Sequence, residues 1–479
     1  MGGTIEIPIW LLVILLLGFA ISIYRLLIDP LIRRTWRRWS VRAMEEVNPN
    51  LQLKLSPITL MRRRSLADRV AHDPILLKSI EPIAAERGVE VSDLKTEIED
   101  MAYEIVPAFN PFFYFRLGYW MARHALRSFY RVRVGFYDEK SLEDVSGDNA
   151  VVFVSNHRSN VDYMLVTYLT SQRTMLSFGA GEWSQVFPIE QMLRSAGGYF
   201  VRRDSGDPLY RRVLERYVQV ASEANVPHAI FPEGQLSTDG RLSPAKFGIL
   251  SYLTRQFVPD QSPDLVFVPI ACNYDRVPED INVIEHDTFQ FRQKGARYVI
   301  RSGVVFAFRA IWEMVAWRRS YGFACASFGR PVSMAAWLKE RDLNWTEMDG
   351  GARYQVLTEF GNRIMDDIRA LIPVTPVPVL CHVLREAEGK GEGARHEEKH
   401  LLDAFRACLE RAEALGATVI LPRNDSRLAL LHALNQLCAR RMLRQRSGRS
   451  YVINAEKSRL ISYYANTIDH LVGDQADES

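Results

Sequence analysis

The chain has 479 residues, 47% of them hydrophobic and 24% charged. That is enough for about three domains and a large core, and it excludes wholesale disorder, a collagen-like repeat and a disulfide-stapled miniprotein. A mean hydropathy of −0.12 leaves too little apolar material for a polytopic transporter. The five scattered cysteines (Cys272, Cys325, Cys381, Cys408, Cys438) form no Cys-x-x-Cys pair, which argues against a zinc ribbon and fits a reducing compartment. The net charge of +3 is uneven: residues 1–64 carry ten Lys/Arg against four Asp/Glu, so the other 415 residues sum to −3. Such a body is no polyanion binder, and no nucleic-acid partner is expected.

The first element in the chain is residues 7–28. Positions 7–23 are uncharged and rich in Leu, Ile and Val, and only Arg25 interrupts the run to Ile28. As a helix this run would extend about 33 Å, enough to cross a hydrocarbon core of about 30 Å. Arg33, Arg34, Arg37, Arg38 and Arg42 follow, interleaved with Trp36 and Trp39, the mark of a cytoplasmic interface. A cleaved signal peptide would need a basic start and a small-residue cleavage site, and this segment opens Met-Gly-Gly-Thr-Ile-Glu. The expectation is an uncleaved transmembrane or interfacial helix, with the lipid bilayer as partner and the body on the cytoplasmic side.

Residues 29–108 read as a basic juxtamembrane stretch followed by charged helices, broken at Asn48-Pro49 and Asp73-Pro74. An aromatic cluster (Phe109, Phe112, Phe113, Tyr114, Phe115) opens the next region. Apolar runs at 132–135, 151–155, 199–202, 228–232 and 266–271 read as strands. Between them 163–169, 183–195, 210–224 and 246–254 carry helical periodicity. The alternation predicts an α/β domain over 109–335, a mostly parallel central sheet flanked by helices. Residues 306–319 fit a basic amphipathic helix at an interface and an ordinary core-facing helix equally. Residues 386–396 look like a charged linker, and 401–415, 428–443 and 460–471 have helical spacing, so 336–479 is expected as a C-terminal helical region.

The chemistry concentrates in Ser155-Asn156-His157-Arg158-Ser159-Asn160-Val161-Asp162-Tyr163. His157 and Asp162 are five apart, about 140° around an ideal helix. They meet only if His157 sits in a loop and Asp162 in the first turn of a helix opening near Ser159 or Asn160. That would set an imidazole beside a carboxylate at the mouth of a sheet, where α/β domains bind ligands. Histidine is suited to take a proton from an alcohol near neutral pH, and a carboxylate on its other nitrogen fixes the tautomer and steadies the imidazolium. Ser159-x-x-Asp162 is equally a capping-box pattern that requires no catalysis.

Three later stretches add to this one: Gly197-Gly198-Tyr199-Phe200-Val201-Arg202-Arg203, Phe231-Pro232-Glu233-Gly234-Gln235-Leu236-Ser237 and Leu265-Val266-Phe267-Val268-Pro269-Ile270. With His157-x-x-x-x-Asp162 they make four ordered blocks, and in these the chain resembles the glycerolipid acyltransferase superfamily. The run from His157 to Tyr163 and the tail Leu460-Ile461-Ser462-Tyr463-Tyr464-Ala465-Asn466 resemble its bacterial membrane-bound glycerol-3-phosphate acyltransferases. The resemblance implies transfer of a fatty acyl group from acyl-CoA or acyl carrier protein to sn-glycerol 3-phosphate at the inner membrane, with no cofactor, no metal and no covalent intermediate.

It implies His157 as general base, oriented by Asp162, and Arg203 with Arg158 and Arg202 on the acceptor phosphate. Ser159, Gly234 and Ser237 would complete the substrate site. Glu233 would orient the acceptor, brace the arginines or cap the turn, and Pro269 would shape the pocket wall. One position departs from the pattern: Leu236 stands where an arginine is usual, and Ser237, Thr238, Arg241 and Lys246 are the candidates to supply the missing donors. Two rival readings keep part of this picture. One changes the acceptor to 1-acylglycerol 3-phosphate or dihydroxyacetone phosphate, and the other makes the chain a non-catalytic, membrane-tethered interaction protein.

Overall fold

A computed structural model describes residues 57–285 and 321–472, apart from 139–140, 142–144, 146–148, 172–173, 203–204, 389–394 and 447–448. The anchor expected over 7–28, the basic stretch after it and the amphipathic 306–319 lie outside the described residues. Among the described residues no helix is long and apolar enough to cross a membrane.

Among the described residues the first α-helices are α1 (Arg63–Ala71), α2 (Pro74–Ser79), α3 (Glu81–Arg87) and α4 (Lys95–Ile105). The Asp73-Pro74 break is a helix start. The Asp73 carboxylate accepts the Ile75 amide at 2.9 Å, and Pro74 occupies a position whose N–H would be unused. Helix α5 (Tyr119–Phe129) then leads into the sheet.

The strands are β1 (Arg131–Tyr137), β2 (Ala150–Ser155), β3 (Ser177–Gly181), β4 (Gly198–Val201), β5 (His228–Ile230), β6 (Leu265–Tyr274), β7 (Phe323–Phe328) and β8 (Val332–Ser333). They form one sheet in the order β1-β7-β6-β2-β5-β3-β4, with β8 also on β6. Every pairing is parallel except those of β6 with β7 and β8. Central β2 and β6 are buried along their whole length, as apolar strands covered on both faces should be. The connections run through α6 (Val161–Thr170), α7 (Ile189–Ser195), α8 (Pro208–Glu223) and α9 (Gly248–Thr254), with α10 (Asp280–Glu285) after β6 and α11 (Met334–Glu340) and α12 (Gly350–Leu371) after β8.

The α/β reading with a mostly parallel sheet therefore holds. Strands β3 and β7 were not anticipated: Ser-Phe-Gly-Ala-Gly and Phe-Ala-Cys-Ala-Ser-Phe have no β-branched residues, and the sheet itself overrides their local preference. The helix expected over 183–195 is a 3-10 turn (Glu182–Ser184) and the shorter α7, because Pro188 can open a helix but cannot lie inside one.

After the sheet come α13 (Pro376–Glu388), α14 (Glu398–Ala414), α15 (Ser426–Ala439), α16 (Ser458–Asn466) and α17 (Asp469–Val472). A small antiparallel sheet of β9 (His396–Glu397), β10 (Leu443–Arg446) and β11 (Ser450–Ile453) lies among them. This region shares the core of the sheet. Phe360 of α12 meets Phe267 of β6 edge-on, with ring centroids 5.0 Å apart. Buried Asp275, just beyond β6, accepts from the amides of Val377 (3.0 Å) and Phe323 (2.9 Å) and from Nε2 of His432 (3.1 Å), so β7, α13 and α15 are tied to one carboxylate.

Candidate active site

Strand β2 ends at Ser155, and the next residue holds its exit point. The Asn156 amide donates to the Cys272 carbonyl (3.0 Å) and accepts the Cys272 N–H (2.7 Å). A side chain thus continues the β2–β6 ladder after the backbone has left it. His157 comes off this anchored point, and α6 opens four residues later. The His157 Nδ1 lies 3.0 Å from Oδ2 of Asp162. That same oxygen accepts the amides of Arg158 (2.6 Å) and Ser159 (2.9 Å), and Oδ1 accepts the Tyr274 hydroxyl (2.6 Å). Asp162 is fully buried. The carboxylate thus stands in the first turn of α6, ties down the two loop amides before it and holds the imidazole. A carboxylate only accepts here, so Nδ1 carries the proton and Nε2 keeps a free lone pair.

The Phe-Pro-Glu-Gly block closes over this pair. The Phe231 ring lies 4.6 Å from the imidazole, centroid to centroid, at 33°. Glu233 Oε1 accepts the His157 amide (2.7 Å) and Oε2 the Ser243 amide (2.8 Å). Its carboxyl is pushed up by burial, against the pull of Arg158 and those two amides. Glu233 therefore fastens the backbone of His157 to that of Ser243. Gly234 has φ +70°, the left-handed turn that glycine takes without strain. It faces the aliphatic part of Lys246.

Arg158 and Arg202, two of the three arginines expected on a phosphate, are turned to other partners. Arg158 is 1% exposed, and its Nη1 donates to the carbonyls of Gly240 and Arg241 and to the Ser237 hydroxyl. It staples the 237–241 loop and does not face an opening. Ser237 is likewise buried and turned inward, donating to the Arg241 carbonyl (2.6 Å) and accepting from the Gly240 amide (3.1 Å). Ser159 is buried, its hydroxyl on Glu279 at 3.0 Å. Arg202 pairs with Glu104 through Nε (2.9 Å) and Nη2. Arg203 lies outside the described residues. Pro269 pairs with Val154 inside the sheet and does not line the cavity below. It falls where β6 changes its antiparallel neighbour from β8 to β7, a place where a missing N–H costs little.

A cavity of about 200 Å³ opens beside the imidazole. Its wall is apolar, from Val154, Ile230 and Phe267, and its room comes from small residues on neighbouring strands, Gly179, Ala180, Gly181 and Ala229. Among the described residues, His157 and Lys246 are the only ones lining it with a basic side chain. Lys246 is exposed, and its backbone is fixed by donation to the Pro232 carbonyl (2.8 Å).

Two residues of the site escaped the sequence reading. Tyr274, at the end of β6, holds Oδ1 of Asp162; burial, and next the nearby Asp162 charge, push its phenol well up, so it stays a donor. Glu279 accepts the Asn160 amide (2.5 Å) and the Ser159 hydroxyl (3.0 Å), and burial raises its carboxyl to about 6. A polar aromatic closing an apolar strand was the available signal for Tyr274. Glu279 had none, because its partners lie some 120 positions earlier. The tail of the chain also reaches the site: the Asn466 amide donates to the Asp239 carbonyl (2.8 Å), and a side chain at Gly240 would collide with the Tyr463 carbonyl.

The Acyltransferase family matches residues 134–273, from within β1 into β6, a span that includes His157, Asp162, Glu233 and Lys246. The glycerol-3-phosphate acyltransferase C-terminal region matches residues 309–476. In these two matched regions the chain is similar to the glycerol-3-phosphate acyltransferases of the acyltransferase superfamily. It is similar to the glycerol-3-phosphate acyltransferase of Pseudomonas entomophila (strain L48), 23% identical over 444 residues, 91% of this chain and 52% of that one. With that of Pseudomonas aeruginosa (strain LESB58) it shares 26% identity over 343 residues, 69% of this chain and 39% of the relative. The chain thus spans about half the length of the curated relatives it matches. A crystal structure of the 1-acyl-sn-glycerophosphate acyltransferase of Thermotoga maritima overlaps 64% of this chain and 98% of its own, at 14% identity and a TM-score of 0.31.

Proposed function

We propose that this protein transfers a fatty acyl group from acyl-CoA or acyl carrier protein to sn-glycerol 3-phosphate, yielding lysophosphatidic acid at the cytoplasmic face of the inner membrane. The observation that carries the reading is the His157–Asp162 pair, 3.0 Å apart, at the mouth of an apolar cavity. The naming of the family and of the curated relatives supports the acceptor.

With Nδ1–H directed at Asp162, Nε2 takes the proton of the glycerol hydroxyl as its oxygen attacks the thioester carbonyl. The tetrahedral intermediate expels the thiolate, and the proton on Nε2 passes to the sulfur, so the imidazole ends neutral. Asp162, held by two amides and a phenol, keeps the ring aligned and balances its transient charge. The acyl chain lies in the cavity, and Lys246 offers its ammonium to the acceptor phosphate. Arg241 and Arg203 are the further candidates for that anion. The bilayer contact rests on the apolar 7–28 and the arginines after it.

The test is purified full-length protein in detergent with labelled acyl-CoA and three acceptors in parallel: glycerol 3-phosphate, 1-acylglycerol 3-phosphate and dihydroxyacetone phosphate. Lysophosphatidic acid from the first alone is expected, abolished in His157→Ala. Product from another acceptor changes the substrate. No product from any, or full activity in His157→Ala, removes the catalytic reading.

A further inference from the structure

The cavity has one wall that the acyltransferase fold does not supply. Gly361, Ile364 and Met365 line it, and their spacing puts them on one face of α12, beyond β8 in the chain. Phe247, which precedes α9, lines the cavity too; its carbonyl accepts the Ser251 amide (2.8 Å), fixing its backbone. Gly361 lies in the middle of a 22-residue helix, where glycine is a poor choice on propensity alone. The reason is the Phe247 ring: a methyl carbon at Gly361 would overlap its Cε1 and lie 2.7 Å from Cδ1. The ring thus fills the slot left by the missing side chain, and both residues line the cavity.

The lining that Phe247, α9 and α12 contribute (Phe247, Ile249, Leu250, Gly361, Ile364 and Met365) carries no ionisable side chain. A phosphate or a sugar there would lose its water without gaining partners, whereas an alkyl chain gains with each methylene buried. We propose that α12 of the C-terminal region closes the acyl-chain site, and that the Phe247–Gly361 contact sets the length of chain it accepts. This rests on the acyl-transfer reading above. It gives the C-terminal region a part in donor choice, beyond its part in the shared core.

The test uses full-length wild type, Gly361→Ala and Phe247→Ala in detergent, with melting temperature as a check on folding. It measures kcat/KM for dodecanoyl-, palmitoyl- and stearoyl-CoA with glycerol 3-phosphate. Gly361→Ala drives the ring and its own methyl into the cavity, so the palmitoyl-to-dodecanoyl ratio falls by about tenfold or more. Phe247→Ala takes the ring out of the lining, and the stearoyl-to-dodecanoyl ratio rises by a similar factor. If Gly361→Ala does not fold, Phe247→Ala decides. Ratios within about twofold of wild type in the folded variants overturn the inference while leaving acyl transfer intact. A wild type that transfers from no thioester overturns both.

Discussion

Asp162→Asn separates what the carboxylate does by charge from what it does by shape. The Oδ2 position faces two backbone amides and the imidazole N–H, so only the oxygen of an asparagine amide fits there. Its NH2 then meets the Tyr274 hydroxyl, which turns to accept. Ring orientation and tautomer are preserved, and what is lost is the negative charge beside an imidazolium forming in the transition state. At 3.0 Å and an effective dielectric of about 20, full proton transfer would feel about 5 kcal/mol. With the proton about half transferred, about 3 kcal/mol remains, a loss of roughly a hundredfold in kcat. Steady-state acylation of glycerol 3-phosphate measures it, with both KM values unchanged and the melting temperature near that of wild type. A folded Asp162→Asn enzyme within about threefold of wild-type kcat would refute the reasoning, because His157 would then work without its counter-charge.

The neighbours allow sharper tests. Tyr274→Phe removes one hydroxyl from Oδ1 of Asp162; a charge-assisted bond of about 1.5–3 kcal/mol translates into lower stability and about tenfold lower kcat, read by thermal melting and initial rates. Lys246→Ala takes away the exposed cation of the cavity, raising KM for glycerol 3-phosphate about tenfold while the donor KM stays put. Glu279 has its carboxyl raised from 4.5 to about 6. The folded state therefore holds that proton more tightly, and the stability this contributes is full below about pH 4.5 and fades as pH rises through 6. Glu279→Gln keeps an oxygen for the Ser159 and Asn160 donors, so it should melt with wild type near pH 4.5 and above it at pH 8, by about 2 kcal/mol. Equal melting at both pH values would show that the carboxyl meets no such cost.

Much of the frame was legible because it is local. β2 and β6 read as strands, being continuous apolar runs of Val, Phe, Leu and Ile, and α8 kept helical periodicity over nearly its full length. His157 and Asp162 were legible as a pair because five residues and one helix start fix their approach. Strand β3 was not, since glycine and alanine there serve the cavity and weaken the strand signal. Domain limits read from composition said nothing of α12, which leaves the sheet domain in sequence yet packs on β6 through Phe360.

From its sequence alone this chain declares an α/β sheet, a histidine–aspartate pair and the four ordered blocks of an acyltransferase, because periodicity, capping and short spacing are written within a few residues of one another. Folding decided which charges face the cavity. Arg158 turns inward to carbonyls 82 and 83 positions away, Ser237 turns to the Arg241 carbonyl within its own loop, Arg202 turns to Glu104 from an earlier helix, and exposed Lys246 is left at the cavity. The reason is physical. A guanidinium goes to whatever acceptors the fold brings near it, and those acceptors come from segments that no local pattern connects.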